Sequence, residues 1–488
     1  MSDDGGAGAT TTTGSSSAEH GPDGRSPPAG GPGTDDAGSR RALAAVVFVV
    51  FLDLVGFGIV IPVLPFYVRA FDVPLVVFGT DAADVLIGLL AASYSLAQFV
   101  AAPVLGRLSD QYGRRPVITL TLLGGAAAWT VFGVAGELAG VVGLGVGLVA
   151  LFGSRVLAGA MGGNLSVAQA YVADVTPVER RAGALGLLAA SFSLGFIFGP
   201  ALGGLAADEG VVAVVRDLLP AIVPVDQFSL PSFLAAGMSV VAFAVALVVL
   251  DEPARTRPTG GRTGLRASFS VALREPSLRG LTLAFFLVSV AFSGVQVMFV
   301  PFAADFYGYT ATQTALFLSY IGALGAFNQG VLVGRLARRY PETRLATVGA
   351  VLLTVALVVL PFSPAIGAAL PPVGGPAWLT GGLVVLLLDG VLLSLGLSLV
   401  NVSLSTLVST SATRETQGAA FGVTQGAGSL GRTVGPPAMA ALYVVAFWSP
   451  FVIGAVVLLP ILAVLAGLVR QQALRDADPD REGVRTRV

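Results

Sequence analysis

The chain contains neither cysteine nor lysine, and its one histidine is His20. The absence of cysteine excludes disulfides, thiol nucleophiles and thiolate metal sites, and a single histidine leaves no histidine metal site or proton relay. Charged residues make up 12% of the 488 residues, whereas soluble domains carry about 25%. The composition therefore excludes an ordinary soluble enzyme and points to lipid as the surrounding solvent. The 28 basic and 29 acidic residues nearly cancel, which gives no indication of nucleic-acid binding.

Long apolar runs are abundant instead. They follow one another from Ala42 to Val469, and each is about 20 residues long, enough for an α-helix to cross roughly 30 Å of hydrocarbon. This pattern predicts an all-α membrane protein with twelve transmembrane helices. The predicted spans lie near residues 42–68, 86–105, 116–136, 142–172, 181–206, 229–250, 279–304, 313–334, 344–362, 378–409, 416–447 and 449–470.

The predicted domain organisation follows from the segments between these spans. Residues 1–40 consist mainly of Gly, Ser, Thr, Pro and Asp, so we expect a disordered tail. A linker at 251–278 separates two six-helix halves, 41–250 and 279–470. A second tail is predicted at 471–488.

Arginine is unevenly distributed between the two sides of the predicted bundle. On one side the loops hold only Arg69 and Arg216, and the remaining loop arginines lie on the side of the two tails. The positive-inside rule then places both termini in the cytoplasm. The prediction is a multi-pass protein of the cell membrane.

Short matches between the halves indicate a duplication. Pro65 and Pro301 are 236 residues apart, and so are the two Gly-Pro pairs, Gly199-Pro200 and Gly435-Pro436. The tripeptide Gly106-Arg107-Leu108 recurs as Gly334-Arg335-Leu336 in the corresponding loop. Parallel repeats of six helices are typical of transporters that rock between two states.

Two motifs combine glycines with charges or a proline. The loop after the second span reads GRLSDQYGRRP, and its defining residues are Gly106, Asp110, Gly113, Arg114 and Arg115. The fifth span contains a glycine-rich motif formed by Gly195, Gly199, Pro200, Gly203 and Gly204. Glycines allow close approach of backbones, and a proline inside a helix removes a hydrogen bond and bends it. Simple close packing is the alternative interpretation of the second motif.

A few ionisable residues interrupt the apolar spans. Asp53 stands about halfway along the first span and Arg155 lies in the fourth, where each should face a cavity or a partner. We predict that Asp53 carries protons and that Arg155 is its counter-charge; a purely structural ion pair is the alternative. Asp389 in the tenth span could take a second proton or meet substrate, and Arg432 in the eleventh could pair with Asp389 or with a backbone carbonyl. The polar candidates for a substrate cavity are Gln98, Asn164, Gln296 and Asn328, together with Arg432.

These motifs resemble those of the major facilitator superfamily. The loop matches the family's G-x-L-x-D-x-x-G-R-R signature, the fifth span matches its antiporter motif, and the first span, FLDLVGFGIVIPVLPFYV, is similar to that of tetracycline and multidrug:proton antiporters. The resemblance implies that Asp110 and the adjacent arginines latch the two halves when the transporter opens outward. It also implies a monomer that needs no cofactor or metal and uses the proton gradient.

Departures from the pattern narrow the interpretation. Tetracycline-specific members carry an acidic residue in the third span, where this chain has Ala128, and this counts against export of a tetracycline–metal complex. In the second half, Met439, Ala440 and Arg338 replace motif residues. The resemblance predicts a proton-driven exporter of small lipophilic or cationic molecules. The alternatives are a proton-coupled uptake symporter for a metabolite or sugar and a non-transporting membrane sensor.

Overall fold

The computed structural model describes residues 34–73, 76–77, 80–81, 83–177, 180–253, 276–371, 376, 378–411 and 417–477. In these residues twelve long helices follow the twelve predicted spans. They are α1 (Thr34–Val60), α2 (Ala83–Tyr112), α3 (Arg114–Val141), α4 (Leu144–Val175), α5 (Arg181–Ala206), α6 (Ser229–Val249), α7 (Pro276–Tyr307), α8 (Ala311–Ala337), α9 (Glu342–Ala369), α10 (Gly381–Ser411), α11 (Gln417–Val445) and α12 (Ser449–Ala477). Short helices Leu64–Arg69 and Glu209–Leu218 follow α1 and α5.

The helices confirm the prediction of an all-α membrane protein. Eleven stretches among the described residues are long and apolar enough to cross a membrane. The remaining long helix, α11, has 29 residues and is also long enough, but it carries more glycine and polar residues, including Arg432. In the part of the chain that the structure describes, the exception to the all-helical architecture is a pair of two-residue antiparallel strands, Val76–Val77 and Thr80–Asp81.

The predicted tails and linker are too long at their edges. Helix α1 already begins at Thr34, α7 begins at Pro276 and α12 continues to Ala477. Helix formation is cooperative, so an apolar span extends readily into polar residues beyond it. The rest of both tails and most of the linker lie outside the described residues.

The two halves are built by the same helix pairs. In the first half α1 packs against α5 and α6, and α3 packs against α4 and α6; in the second half α7 packs against α11 and α12, and α9 against α10 and α12. The halves meet through two equivalent pairs, α5 with α8 and α11 with α2. Sites between the halves therefore lie beside α2, α5, α8 and α11. Below, the end of the bundle that carries both termini is called the inner end, and the opposite one the outer end.

Candidate functional site

The Asp53 side chain lies half-buried on α1 and its oxygen Oδ2 accepts a hydrogen bond from Nδ2 of Asn164 at 3.1 Å. Asn164 is 7% exposed and begins the second part of α4, after a break at Gly163. The structure brings these two predicted residues together. It does not form the predicted pair of Asp53 with Arg155: both residues are described and no salt bridge joins them.

Arg155 is 6% exposed and its partners are aromatic. The guanidinium carbon lies 4.8 Å from the ring centroid of Tyr94 on α2 and 5.6 Å from that of Trp129 on α3. Its Nε atom is buried with no hydrogen-bond acceptor. A guanidinium between two rings gains cation–π attraction but keeps its hydrogen-bonding capacity. Sequence reasoning missed both aromatic residues, because an aromatic side chain carries no distinguishing signal in an apolar helix.

Tyr94 is the centre of this group of charges. The Arg155 guanidinium lies over its ring, and the Phe57 ring, one turn after Asp53 on α1, lies 5.1 Å away. Helix α2, which carries Tyr94, packs against α11 of the other half, which carries Arg432. A methyl group on Gly162 would lie 2.6 Å from the Tyr94 hydroxyl, so this part of α4 directly covers the ring's polar end. Gln98, one turn after Tyr94, donates to the Gly162 carbonyl at 3.0 Å. The charges of both halves thus meet around one tyrosine.

The other predicted polar residues are dispersed. The sequence suggested Asp389 or a backbone carbonyl as the partner of Arg432, but in the structure Arg432 donates to the Ser429 hydroxyl at 2.9 Å. Asp389 is 2% exposed, and neither of its carboxylate oxygens has a hydrogen-bond partner. Asn328 donates to Ser394 on α10 at 3.3 Å, so it joins two helices, and Gln296 is exposed.

The glycines of the fifth-span motif hold α5 against α1 directly beyond Asp53. A methyl group on Gly195 would lie 2.7 Å from the Leu54 Cβ, and one on Gly199 would lie 2.6 Å from the Gly58 Cα. A methyl group on Gly203 would lie closer still to its neighbour, the Ile59 carbonyl oxygen. No side chain fits at these positions, because Cβ contacts under 3.0 Å do not occur without a shift of the backbone. Pro200 lies at the same crossing and would be 3.2 Å from a methyl group on Gly58.

The fourth glycine of the motif has a different partner. Gly204 faces α8 in the other half, where its carbonyl accepts a hydrogen bond from the Thr312 hydroxyl at 2.8 Å. A methyl group on Gly204 would lie 2.4 Å from the Ala315 Cβ. The motif therefore connects the Asp53 helix with the interface between the halves.

The signature loop forms a compact charge network at the inner end. Arg114 binds Asp110 at 2.8 Å and also Asp174 at 3.0 Å. Glu252, just after α6, accepts from the backbone N–H groups of Arg114 and Arg115 at 2.8 and 2.9 Å and so caps the N-terminus of α3.

The loop's glycines differ in their surroundings. Gly113 has φ +115°, and a methyl group there would lie 2.7 Å from the Glu252 carboxylate, so both backbone and space require glycine. A methyl group on Gly106 would meet no atom within 4 Å, so packing does not require glycine at that position. Asp174 and Glu252 were not predicted, because they lie far from the loop in sequence.

A second charge network joins the halves at the outer end. Arg69, at the end of the short helix after α1, makes two hydrogen bonds to Asp305 on α7 at 2.7 and 3.0 Å and binds Asp84 at 2.9 Å. Asp305 also accepts from the Tyr443 hydroxyl on α11 at 3.0 Å. Burial disfavours the charge of Arg69, but hydrogen bonds and charges from Asp305 and Asp84 outweigh this effect and raise its pKa. Arg69 is therefore charged at any physiological pH.

Known proteins with similar sequences and folds agree with this architecture. Residues 46–384 match the Major Facilitator Superfamily. The class C tetracycline resistance protein of Escherichia coli is 30% identical over 326 residues, which cover 67% of this chain and 74% of that protein. Multidrug resistance protein 1 of Bacillus subtilis (strain 168) is 27% identical over 310 residues, covering 62% and 69% of the two chains.

Solved structures show the same fold. An inward-facing, occupied crystal structure of a bacterial homologue of the human lysosomal transporter Spinster superposes with a TM-score of 0.67 at 17% identity, over 88% of this chain and 96% of that one. The resemblance inferred from the sequence is confirmed at the level of the family. The chain belongs to the Major Facilitator Superfamily, whose members are multi-pass membrane transporters and not enzymes.

Proposed function

We propose that this transporter exports small, drug-like molecules in exchange for protons, by opening a central site alternately to the two sides of the membrane. The observation that carries the proposal is the Asp53 carboxylate, which lies inside the membrane-spanning part of α1 with Asn164 as its hydrogen-bond partner. An ionised carboxylate at mid-membrane costs about 2.5–3.5 kcal/mol on insertion scales. A proton arriving from water would therefore bind there readily.

The Asn164 amide suits both protonation states of Asp53. Its N–H group donates to the carboxylate at 3.1 Å, and its carbonyl could accept from the protonated acid after the amide rotates. Protonation would thus exchange one hydrogen bond for another instead of leaving a buried group unpaired. In this proposal Asp53 is the proton carrier and Asn164 its switchable partner.

The glycine contacts supply a path from the proton site to the interface between the halves. Helix α1 touches α5 through Leu54, Gly58 and Ile59, and α5 in turn touches α8 through Gly204. With no side chains between them, a shift of α1 must be followed by α5. A change at Asp53 would therefore reach the contact on which the halves rock.

Arg155 and Asp389 have secondary roles in the proposal. Arg155 contributes its positive charge from a position against the Tyr94 ring and makes no direct ion pair with Asp53. Asp389 is buried inside the second half and takes a second proton. The protein needs no cofactor or metal, because a proton moving down the membrane potential releases about 2.3 kcal/mol per 100 mV. It acts as a monomer in the cytoplasmic membrane with both termini inside.

The sequence pointed to lipophilic or cationic cargo, and the charges around Tyr94 favour the lipophilic part of that expectation. Arg155 lies over the ring and Arg432 lies on α11, the helix that packs against α2, whereas Asp53 on α1 is the one acidic residue of the group. A cation would be repelled whenever Asp53 is protonated. Export of lipophilic molecules is therefore the function we put forward.

The experiment that tests the proposal uses inside-out membrane vesicles acidified inside by respiration, with a pH-sensitive amine dye. Addition of lipophilic antibiotics and dyes should release protons through the wild type, and Asp53→Asn should lower that release at least tenfold at equal abundance in the membrane. Asp217→Asn, an exposed acidic residue of helix Glu209–Leu218, is the matched control and should behave as wild type. Undiminished proton release by Asp53→Asn would contradict the proposal, and proton-driven accumulation in right-side-out vesicles would indicate a symporter instead.

A further inference from the structure

The acidic residue near Tyr94 has a polar partner, whereas the two arginines near it have no acidic partner within the described part of the chain. Asp53 has a hydrogen-bond donor in Asn164. Neither Arg155 nor Arg432 has a carboxylate of the described residues within ion-pair distance. When Asp53 carries its proton, the group is therefore left with two positive charges and no negative one. Arg155 is buried and Arg432 is half-buried. Removing cations from water without counter-ions is costly, so such a pair is expected to have a negatively charged ligand.

The environment of Arg155 leaves its guanidinium available to a ligand. Its contacts are with the rings of Tyr94 and Trp129, at 4.8 and 5.6 Å, and its Nε atom has no acceptor. Guanidinium groups bind carboxylate, sulfonate and phosphate oxygens through paired N–H donors. The contacts with the two rings do not use those donors.

Arg432 supplies the second cation from the other half. One of its terminal nitrogens donates to the Ser429 hydroxyl, which lies on the same helix, at 2.9 Å. Tyr94 and Arg155 each lie eleven residues from the outer ends of α2 and α4, and Arg432 lies thirteen residues from the outer end of α11. At about 1.5 Å per residue, all three side chains start at nearly the same depth in the membrane.

Aromatic side chains continue from this group. The ring of Phe57 on α1 lies 5.1 Å from that of Tyr94, and Phe196 on α5 lies 6.1 Å from Phe57. Phe192 stacks on Phe196 at 5.2 Å. The site thus combines two cations with a row of rings, which suits a ligand with one anionic group and an aromatic body.

We infer that the central site takes an amphipathic organic anion, with its carboxylate or sulfonate between Arg155 and Arg432 and its apolar part against Tyr94 and Phe57. This inference rests on the proposed function and names the substrate class of that site. Because the two arginines belong to opposite halves, an anion held by both favours the state in which the halves are close. Release then follows when rocking separates Arg432 from Arg155.

The charge of the substrate changes the energetics of exchange. If one proton enters for each monovalent anion that leaves, two charges move with the membrane potential; a neutral molecule moves one and a monovalent cation none. Each charge contributes about fifty-fold to the attainable concentration ratio per 100 mV. Transport of the anion is therefore the most steeply voltage-dependent of the three.

The test uses two permanently charged probes of similar shape, naphthalene-2-sulfonate and 2-naphthyl-trimethylammonium, with the full-length protein in proteoliposomes. The sulfonate should bind at least tenfold more tightly than the ammonium, as measured by tryptophan fluorescence, and an imposed potential should drive its transport. Arg155→Gln and Arg432→Gln should each weaken sulfonate binding at least tenfold. Arg339→Gln, which removes an exposed arginine stacked on Tyr340 at the inner end, is the matched control and should bind as wild type.

The outcomes separate this inference from the proposed function. Equal or tighter binding of the ammonium, no sulfonate binding, or undiminished sulfonate binding in both arginine variants would overturn the anion site. Melting temperatures of the variants identify any loss due to misfolding, and Arg155→Lys, which keeps the charge, should retain part of the binding. Tight sulfonate binding with transport that ignores the pH gradient would instead support the anion site and contradict proton exchange.

Discussion

The two halves of the protein share their packing but not their chemistry. At a separation of 236 residues, Gly195 and Gly199 of α5 correspond to Gly431 and Gly435 of α11. Each pair lies so close to the equivalent helix, α1 in the first half and α7 in the second, that no side chain would fit between them. At the same separation, however, Asp53 corresponds to Ser289. The glycines of the scaffold are thus present in both halves, whereas the carboxylate at the position of Asp53 is present only in the first.

The outer network shows why some equivalent positions had to diverge. Arg69 and Asp305, which bind each other, are themselves 236 residues apart. The two halves are related by a pseudo-twofold axis that runs between them. A residue close to this axis meets the equivalent residue of the other half, as in a symmetric dimer interface. Two identical charges there would repel each other. An Arg–Asp pair gives attraction across the axis, which an exact duplicate could not.

The contacts between halves also explain a departure in the second motif. Gly204 of α5 faces Ala315 of α8, whereas its counterpart Ala440 of α11 faces Gly88 of α2. Each interface therefore contains one glycine and one alanine, but on opposite partners. Replacement of the motif glycine by Ala440 is accommodated because Gly88 leaves room for its methyl group.

The largest effect is expected where the shared scaffold has no spare space. Gly199→Leu would place a side chain inside the contact with Gly58, where a single methyl already approaches to 2.6 Å. Overpacking costs roughly 1–3 kcal/mol or more, so we expect a large fall in melting temperature and in the yield of monodisperse protein. Gly186→Leu on the same helix, with no atom within 4 Å, is the control and should fold normally. Equal stability of the two variants would contradict the close α1–α5 contact.

The fold and the charged residues of the site could be predicted from the sequence, but their partners could not. Apolar runs and arginine placement indicate spans and sides, and Asp53 and Arg155 stand out because ionisable residues are rare in membrane helices. Tyr94 and Asn164 depend on the rotation of helices that are apolar nearly all round, which the hydrophobic pattern does not encode. Predicting the contact of Arg69 with Asp305 would have required knowing where the pseudo-twofold axis between the halves lies.

The next largest effect concerns the outer network. In Arg69→Gln the bonds to Asp305 are lost, so the halves should separate more often at the outer end. Because the chain has no cysteine, Ser95→Cys provides a unique thiol, two turns below Gly88 on the same face of α2. Its labelling by a membrane-impermeant maleimide from outside should become severalfold faster in Arg69→Gln.

The matched control and a charge exchange sharpen that test. Arg216→Gln removes an outer arginine that bonds to the Val225 carbonyl within the first half, and it should leave labelling unchanged. Exchange of the two charges, Arg69→Asp with Asp305→Arg, should restore part of the protection. Unchanged labelling in Arg69→Gln would show that the outer charges do not hold the halves together.

A smaller effect is expected where the glycine and alanine of one interface are exchanged. Gly204→Ala would place two methyl groups 2.4 Å apart. This overpacking should lower the free energy of unfolding by roughly 1–3 kcal/mol and with it the melting temperature. Adding Ala315→Gly moves the methyl group to the other helix and should recover most of the loss. Gly183→Ala, on the same helix with free space, should not destabilise the protein. If the double variant remained as unstable as Gly204→Ala, the α5–α8 interface would not tolerate the exchange of glycine and alanine that is seen at the α11–α2 interface.

The smallest effect is expected from substitution of Asp389, the buried acidic residue on α10 in the second half. Asp389 is buried with neither carboxylate oxygen hydrogen-bonded, so its charge costs stability and gains no partner. Asp389→Asn should raise the melting temperature by a few degrees and slow proton-coupled transport only severalfold, because Asp53 still carries a proton. Vesicle pH measurements and thermal unfolding of the same preparation check both. Complete loss of coupling in Asp389→Asn would show that the halves contribute equally to proton transfer, and the asymmetry between Asp53 and Ser289 would then have another cause.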